Sequence, residues 1–238
     1  MQHIDAIILA GGLGTRLQRV LPGLPKPLAP INGTPFLDLL LTQVQSIPAI
    51  RSVVLAIGYQ FEKMIARYKT YPVRFSIEKT PLGTGGAIKH ALQETDAKEL
   101  LIVNGDTYVD FSFDALLDMH QNSNSAFTIV SQETEEASRF GSMIIDAKTN
   151  RVLSFREKSK EIQKGYISCG VYLIKREAFD SLALSENFSL EYDALPLLLQ
   201  EGVYASVSKG TFIDIGTEES YSQAQEILKP LCQKIHTF

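Results

Sequence analysis

Two rhythms of apolar and polar positions alternate over roughly the first hundred residues. Short, nearly continuous apolar runs, "DAIILA" (5–10), "SVVLAIG" (52–58), "VRFSIE" (73–78) and "ELLIVNGD" (99–106), read as buried strands. Between them "PFLDLLLTQVQSI" (35–47), "QFEKMIARYK" (60–69) and "TGGAIKHALQET" (84–95) repeat apolar residues at helical spacing. The first of these helices is expected to take Thr34 as its N-cap and Pro35 as its first residue. Strands that alternate with helices of this length need crossover connections, and so a mostly parallel sheet.

Beyond about residue 120 the texture changes. "SAFTIVSQE", "GSMIIDA", "RVLSFREK" and "YISCGVYLIK" are strand-like with short polar connections, the pattern of antiparallel strands covering or extending the parallel sheet. Two helices, "REAFDSLA" and "LEYDALPLLLQE", are expected next. Two last strands, "VYASVSK" and "TFIDIG", lead into the amphipathic helix "TEESYSQAQEILK". There is no internal repeat, low-complexity tract or long linker. The expected fold is therefore α/β, a doubly wound and mostly parallel sheet, with 1–238 as a single domain in two halves, 1–110 and 111–238.

Composition narrows the function. A formal charge of −4 leaves no broad basic field for a nucleic acid. Cys169 and Cys232 lie far apart, without metal-ligand spacing, and are expected as reduced thiols. The N-terminal apolar run is too short for a membrane span or a signal peptide, so the expected location is cytoplasmic. His3, His90, His120 and His236 show no paired spacing and are not expected as ligands or bases. The pattern sets no oligomeric state.

The candidate chemistry starts just after the first strand. "LAGGLGTRLQRVLPGLPKPLAP" is dense in glycine and proline and holds Arg16 and Lys26. Glycines let several N–H groups approach one anion. A structural turn fits the glycines equally well, and neither the P-loop string nor a full dinucleotide G-x-G-x-x-G is present, since Leu17 stands where the third glycine belongs. The cations favour phosphate: Arg16 offers a planar fork, and Pro25 and Pro27 restrict the backbone around Lys26. If the strand order is 3-2-1-4, the glycine loop and the "NGD" that ends the fourth strand meet at one crevice. Asp106, in "NGD", suits Mg²⁺ as a hard oxygen ligand and also suits a plain turn. Asp214, between Ile213 and Ile215, is expected in a buried strand, where a carboxylate needs a metal ion or a basic partner.

Taken together, the glycine loop, Arg16, Pro25-Lys26-Pro27, "IEKTPLGTGGAIK", "NGDTYVD", "SFREK" and "FIDIG" resemble the signature of sugar-1-phosphate nucleotidyltransferases, the NDP-sugar pyrophosphorylases, over nearly the whole chain. "RVL" (19–21), where many members have Pro-Leu-Thr, looks most like the branch acting on D-glycero-α-D-manno-heptose 1-phosphate.

The resemblance implies a Rossmann-like nucleotidyltransferase fold, with a nucleoside triphosphate and a sugar 1-phosphate as partners and Mg²⁺ as cofactor. It implies nucleotide contacts at Leu9, Ala10, Gly11, Gly12, Gly14, Thr15, Arg16, Glu78, Gly83 and Thr84, and catalytic roles for Arg16, Lys26 and Asp106. It makes Asp106 and Asp214 the metal pair, and it puts the sugar phosphate against Asn104, Gly141, Glu157, Lys158, Ser168 and Gly170. Ser168 and Cys169 depart from the usual Asn-Gly or Asn-Ala. Glu157 and Lys158 alone would read as a solvated turn, and Gly141 as the start of a strand. Tyr108 and Tyr172 fit a sugar pocket and a core equally.

Glu78 stands where several members have glutamine. A carboxylate only accepts hydrogen bonds, and guanine offers two adjacent N–H donors, which favours GTP. Thr84 through Gly86 are expected to open a helix and so to point free N–H groups at the ligand. The leading expectation is guanylyl transfer to a sugar 1-phosphate. Alternatives are mannose-, glucose- or N-acetylmuramate-1-phosphate transfer with GTP or UTP, a non-catalytic nucleotide-sugar sensor and, most distantly, a nicotinamide oxidoreductase.

Overall fold

The computed structural model describes residues 3–135, 137, 142–156 and 164–235. The four early strands are present as β1 (Ile4–Ala10), β4 (Ile50–Ile57), β5 (Val73–Ile77) and β6 (Glu99–Asn104). They run parallel in the order β5-β4-β1-β6, the 3-2-1-4 order that was the condition for the glycine loop and "NGD" to meet. Alternate side chains of these strands pack on opposite faces. Ile4, Ala6 and Ile8 lie with α1 (Phe36–Gln45), α2 (Phe61–Tyr68) and two C-terminal helices, α7 (Glu218–Ile227) and α8 (Lys229–Ile235). Ile7, Val54 and Ile102 lie with α3 (Gly83–Ala91), α5 (Arg176–Asp180) and α6 (Leu195–Glu201). Both faces are therefore covered, which is why these strands read as unbroken apolar runs.

The later strands extend the sheet rather than cap it. β11 (Gly165–Lys175) lies antiparallel to β6 on one edge and to β8 (Phe127–Thr134) on the other; its first residues also pair with β9 (Ser142–Ile145), which carries β10 (Val152–Arg156). A bulge between Ser168 and Tyr172 breaks the β8 register, with Gly170 at φ +72°. β12 (Val203–Val207) pairs in parallel with β8, and α4 (Phe113–Asn122) precedes β8 in the chain. β12 and β13 (Phe212–Asp214) do not pair with each other. β13 instead joins β7 (Thr107–Val109), a short strand that no apolar run announces.

Two local expectations are corrected. Asn32-Gly33 forms a hairpin turn with both residues at positive φ, joining β2 (Pro30–Ile31) to β3 (Thr34–Pro35). Thr34 is thereby buried in the hairpin, and α1 begins at Phe36 with no side-chain cap. The segment read as one helix from Leu190 opens as a π-turn, Leu190–Ala194, before α6. Cys169 and Cys232 are free and buried. Among the described residues no helix is long and apolar enough to cross a membrane.

Candidate active site

The carboxyl ends of β1, β4, β5 and β6 open on a cleft of about 840 Å³, within the range of small-molecule sites. Gly105 joins two of these ends. Its N–H donates to the Leu9 carbonyl at 2.9 Å, and a Cβ there would sit 2.5 Å from that oxygen, so only glycine lets the strands meet this closely. The glycine loop then leaves Ala10. Gly14 combines φ +58° with a tight contact: a Cβ there would lie 2.9 Å from the Lys26 Cβ. Arg16 is exposed and lines the cleft with its guanidinium free of any ion pair among the described residues. Gln18 braces the returning loop through the Leu24 carbonyl and the Gly23 N–H.

Lys26 opens a short 3-10 turn after Pro25, and its side chain is only 11% exposed. Its ammonium donates to Asp106 Oδ2 at 2.6 Å. The Thr107 hydroxyl donates to Asp106 Oδ1 at 3.1 Å. Burial alone would raise the Asp106 carboxyl; the charge and hydrogen bond of Lys26 outweigh it and hold the group below its usual value. Pairing of β13 with β7 sets Asp214 opposite Thr107, beside Asp106. Asp214 is half-buried and forms no salt bridge among the described residues. Its Oδ1 accepts from the Gly216 N–H at 2.6 Å and from the Ser220 hydroxyl at 3.4 Å. A Cβ on Gly216 would lie 2.7 Å from Asp214 Oδ1 and 3.4 Å from the Lys26 ammonium. The Asp214 carboxylate and the Lys26 ammonium therefore meet at a glycine that lines the end of the cleft, and Asp106 joins them through its bond to Lys26; Asp214 itself is not among the residues lining the cleft.

The other end is built from β4, β5 and α3. Glu78 follows β5; one carboxylate oxygen accepts from the Leu82 N–H at 3.3 Å, and the other lies 2.6 Å from where a Gly11 Cβ would be. Burial pushes the Glu78 carboxyl up. The N–H groups of Gly83 and Thr84 have no partner among the described residues, and Gly83 sits at φ +71°. The next two are spent: Gly85 and Gly86 both donate to the Phe188 carbonyl, at 3.0 and 3.2 Å. This corrects the expectation that Thr84 through Gly86 all turn free donors toward a ligand.

Known proteins match the chain that carries this site over nearly its whole length. The family model described as "Nucleotidyl transferase" matches residues 5–229. The chain belongs to the nucleotidyl transferase family. A D-glycero-alpha-D-manno-heptose 1-phosphate guanylyltransferase of Aneurinibacillus thermoaerophilus is 37% identical to this nucleotidyltransferase, over 95% of this chain and 99% of its own. A mannose-1-phosphate guanyltransferase of Yarrowia lipolytica is 32% identical over 92% of this chain and 62% of its own length. The crystal structure of HddC from Yersinia pseudotuberculosis complexed with GMP-PN superimposes with a TM-score of 0.80 at 36% identity, covering 93% of this chain and 98% of that one.

In this nucleotidyltransferase the cleft brings together Leu9, Ala10, Gly11, Gly12, Gly14, Thr15, Arg16, Lys26, Glu78, Gly83, Thr84, Asn104 and Asp106. Gly170 stands behind Asn104, where a Cβ would come within 2.8 Å of the Asn104 side chain. Ser168 donates to the Tyr172 hydroxyl at 3.0 Å. Gly141, Glu157 and Lys158 lie outside the described residues. Tyr108 is buried in the core and borders a separate groove with Phe111 and Leu231. Three contributors were not read from sequence. Tyr59 and Gln60 line the cleft after β4, Gln60 at φ +51° ahead of α2, and Glu191 reaches Thr84 from more than a hundred residues away. A "GYQ" at a strand end was the available signal for the first two; Glu191 had none of its own.

Proposed function

We propose that this nucleotidyltransferase transfers the guanylyl group of GTP to a sugar 1-phosphate, D-glycero-α-D-manno-heptose 1-phosphate, releasing pyrophosphate and a GDP-sugar. The observation that carries the reading is the convergence of Lys26, Asp106 and Asp214 beside a glycine loop at the strand-order reversal. A 1-phosphate monoester, with a second pKa of about 6, is largely dianionic near neutral pH and needs no general base. Its oxygen attacks the α-phosphorus; the bond to the β-phosphate oxygen breaks in line, and the electron pair leaves on pyrophosphate.

The difficulty is crowded negative charge, which fixed cations and dipoles relieve. The backbone from Gly11 to Thr15 cradles the triphosphate, Arg16 takes its terminal oxygens, and Lys26 stabilises charge at the α-phosphate. Gly83 and Thr84 supply free backbone donors. Glu78 accepts the two adjacent N–H groups of guanine, and its preference for GTP over UTP follows.

Asp106 and Asp214 would hold Mg²⁺. They are hard oxygen donors, one in the turn before β7 and one at the end of the β13 strand paired with it, and Asp214 Oδ2 has no partner among the described residues. Held by Asp106 and Asp214, such an ion would supply positive charge to the phosphate oxygens.

The acceptor sugar would lie over β6 and β11, against Asn104, Ser168 and Gly170, with Gly141, Glu157 and Lys158 completing its site. In this reading 1–110 is the nucleotide half and 111–238 the acceptor half of one domain, and the use of GTP suits the cytoplasm. Pyrophosphate release across GTP, UTP and dTTP with heptose, mannose, glucose and N-acetylmuramate 1-phosphates tests it; turnover is expected with GTP and the heptose. Mannose 1-phosphate as the preferred acceptor is the second reading, favoured by the Yarrowia lipolytica relative. Tight nucleotide-sugar binding with no turnover in Mg²⁺ would instead make the protein a sensor.

A further inference from the structure

Thr84 lines the nucleotide cleft, yet its hydroxyl is committed elsewhere. It donates to Glu191 Oε2 at 2.9 Å and accepts the Leu190 N–H at 2.9 Å. Glu191 meets no cation within salt-bridge distance among the described residues. Hydroxyls hold it instead: Thr84, Ser189 at 3.2 Å, and Tyr172, whose O–H donates to Oε1 at 3.3 Å. Tyr172 is buried and in turn receives the Ser168 hydroxyl. The backbone enforces this alignment. A Cβ on Gly83, Gly85 or Gly86 would come within 2.5 Å of the Phe188 carbonyl oxygen, 2.2 Å of the Phe188 ring or 2.3 Å of the Glu186 carbonyl oxygen. Three glycines thus let the 186–191 segment lie flat on the first turn of α3, and the π-turn at Leu190 aims Glu191 at Thr84.

We propose that Thr84 is a positioning residue whose hydroxyl fixes Glu191 and, through Tyr172 and Ser168, ties the helix of the nucleotide cleft to the strand that receives the acceptor sugar. The inference rests on the reading above in one respect, that Ser168 faces that sugar. The chain spans the two substrate sites, so loss of the Thr84 hydroxyl is felt at the acceptor site although the residue lines the nucleotide site. Valine at this position keeps the shape and removes both bonds; the Glu191 carboxylate then turns to water and Tyr172 loses its aligned acceptor. Serine restores both bonds.

The test compares Thr84→Val and Thr84→Ser by initial rates of pyrophosphate release. Thr84→Val is expected to raise KM for the sugar 1-phosphate about tenfold, well beyond any rise in KM for GTP, and Thr84→Ser is expected to restore the acceptor KM. A KM for GTP that rises as much as the acceptor KM, or no change in either, overturns the proposal. A double-mutant cycle of Thr84→Val with Tyr172→Phe, read by urea unfolding, measures the chain without any turnover. Additive effects there break the link between the two residues and sink the proposal; non-additive effects support it. If the parent protein turns over no sugar 1-phosphate, the guanylyltransferase reading falls, while the strut is decided by the cycle alone.

Discussion

Replacing Glu78 with glutamine exchanges one carboxylate oxygen for an NH₂ group and should invert the nucleobase preference. In the parent protein the Leu82 N–H points at one carboxylate oxygen, and the other oxygen faces Gly11. A glutamine in the same place must keep its carbonyl toward Leu82, because its NH₂ group cannot accept a hydrogen bond. The NH₂ is then turned to the position that met guanine, so a donor faces donors. At least one hydrogen bond to a charged acceptor is lost, worth ~1.5–3 kcal/mol, or about ten- to 150-fold in kcat/KM for GTP. Uracil presents a carbonyl to that NH₂, so kcat/KM for UTP should rise in the same variant.

Pyrophosphate release with GTP, ITP and UTP measures both changes. ITP lacks the exocyclic amine and should already lose about tenfold in the parent if the carboxylate reads two donors. The charged form of Glu78 is the one that accepts. Since burial raises its pKa, KM for GTP should climb as pH falls through that raised value. Unaltered GTP preference in Glu78→Gln would refute the assignment and leave the base read by backbone alone.

At the other end of the cleft, Lys26→Ala and Asp106→Asn should each cut turnover by about 10²–10³, with thermal midpoints within a few degrees of the parent; pyrophosphate release near the parent rate would remove either residue from the mechanism. Far from the cleft, Asp5 is fully buried and accepts from Arg51 at 3.0 and 2.7 Å and from Thr95. Asp5→Asn should cost ~1–3 kcal/mol in urea unfolding at pH 7. Burial would raise the Asp5 carboxyl, but bonds from Arg51, Thr95 and Ser52 hold it below its usual value. The stabilisation is therefore full above the unfolded pKa of about 3.9 and is lost as pH falls through the lower native one, so parent and variant should converge in acid.

What was legible in the sequence is what is local. Runs such as "AIILA" and "LLIVN" carry their burial on both faces in their composition, and the crossover pattern announced a parallel sheet, while the strand order entered only as a condition that the structure meets. The glycine loop and Lys26 announced themselves because glycine and proline constrain the backbone wherever they occur. The unread parts are contacts between distant segments. Glycines 85 and 86 belong to the helix start read as facing a ligand; their N–H groups go instead to the Phe188 carbonyl, and their lack of a side chain admits the Phe188 ring and the Glu186 carbonyl. Asp214 read as a buried charge in need of a cation. It is half-buried, and a turn N–H two residues on and the Ser220 hydroxyl at the start of α7 satisfy one of its oxygens. Asn32-Gly33 carried a hairpin signal that competed with Thr34 as a cap, and the turn won because both its residues tolerate positive φ.

The seam between β6 and β11 bears on how this chain could ever be divided. Val103, Ile102, Leu101, Leu100 and Glu99 are each matched by a residue of β11, from Val171 to Lys175. A fragment ending near residue 110 would keep its phosphate loop but present that bare, oily margin as a template for other chains. Split chains, permuted termini or fusions cut there should clump unless the second fragment is supplied together with the first. Surface turns such as Asp146–Asn150 offer safer places to open or extend the polypeptide.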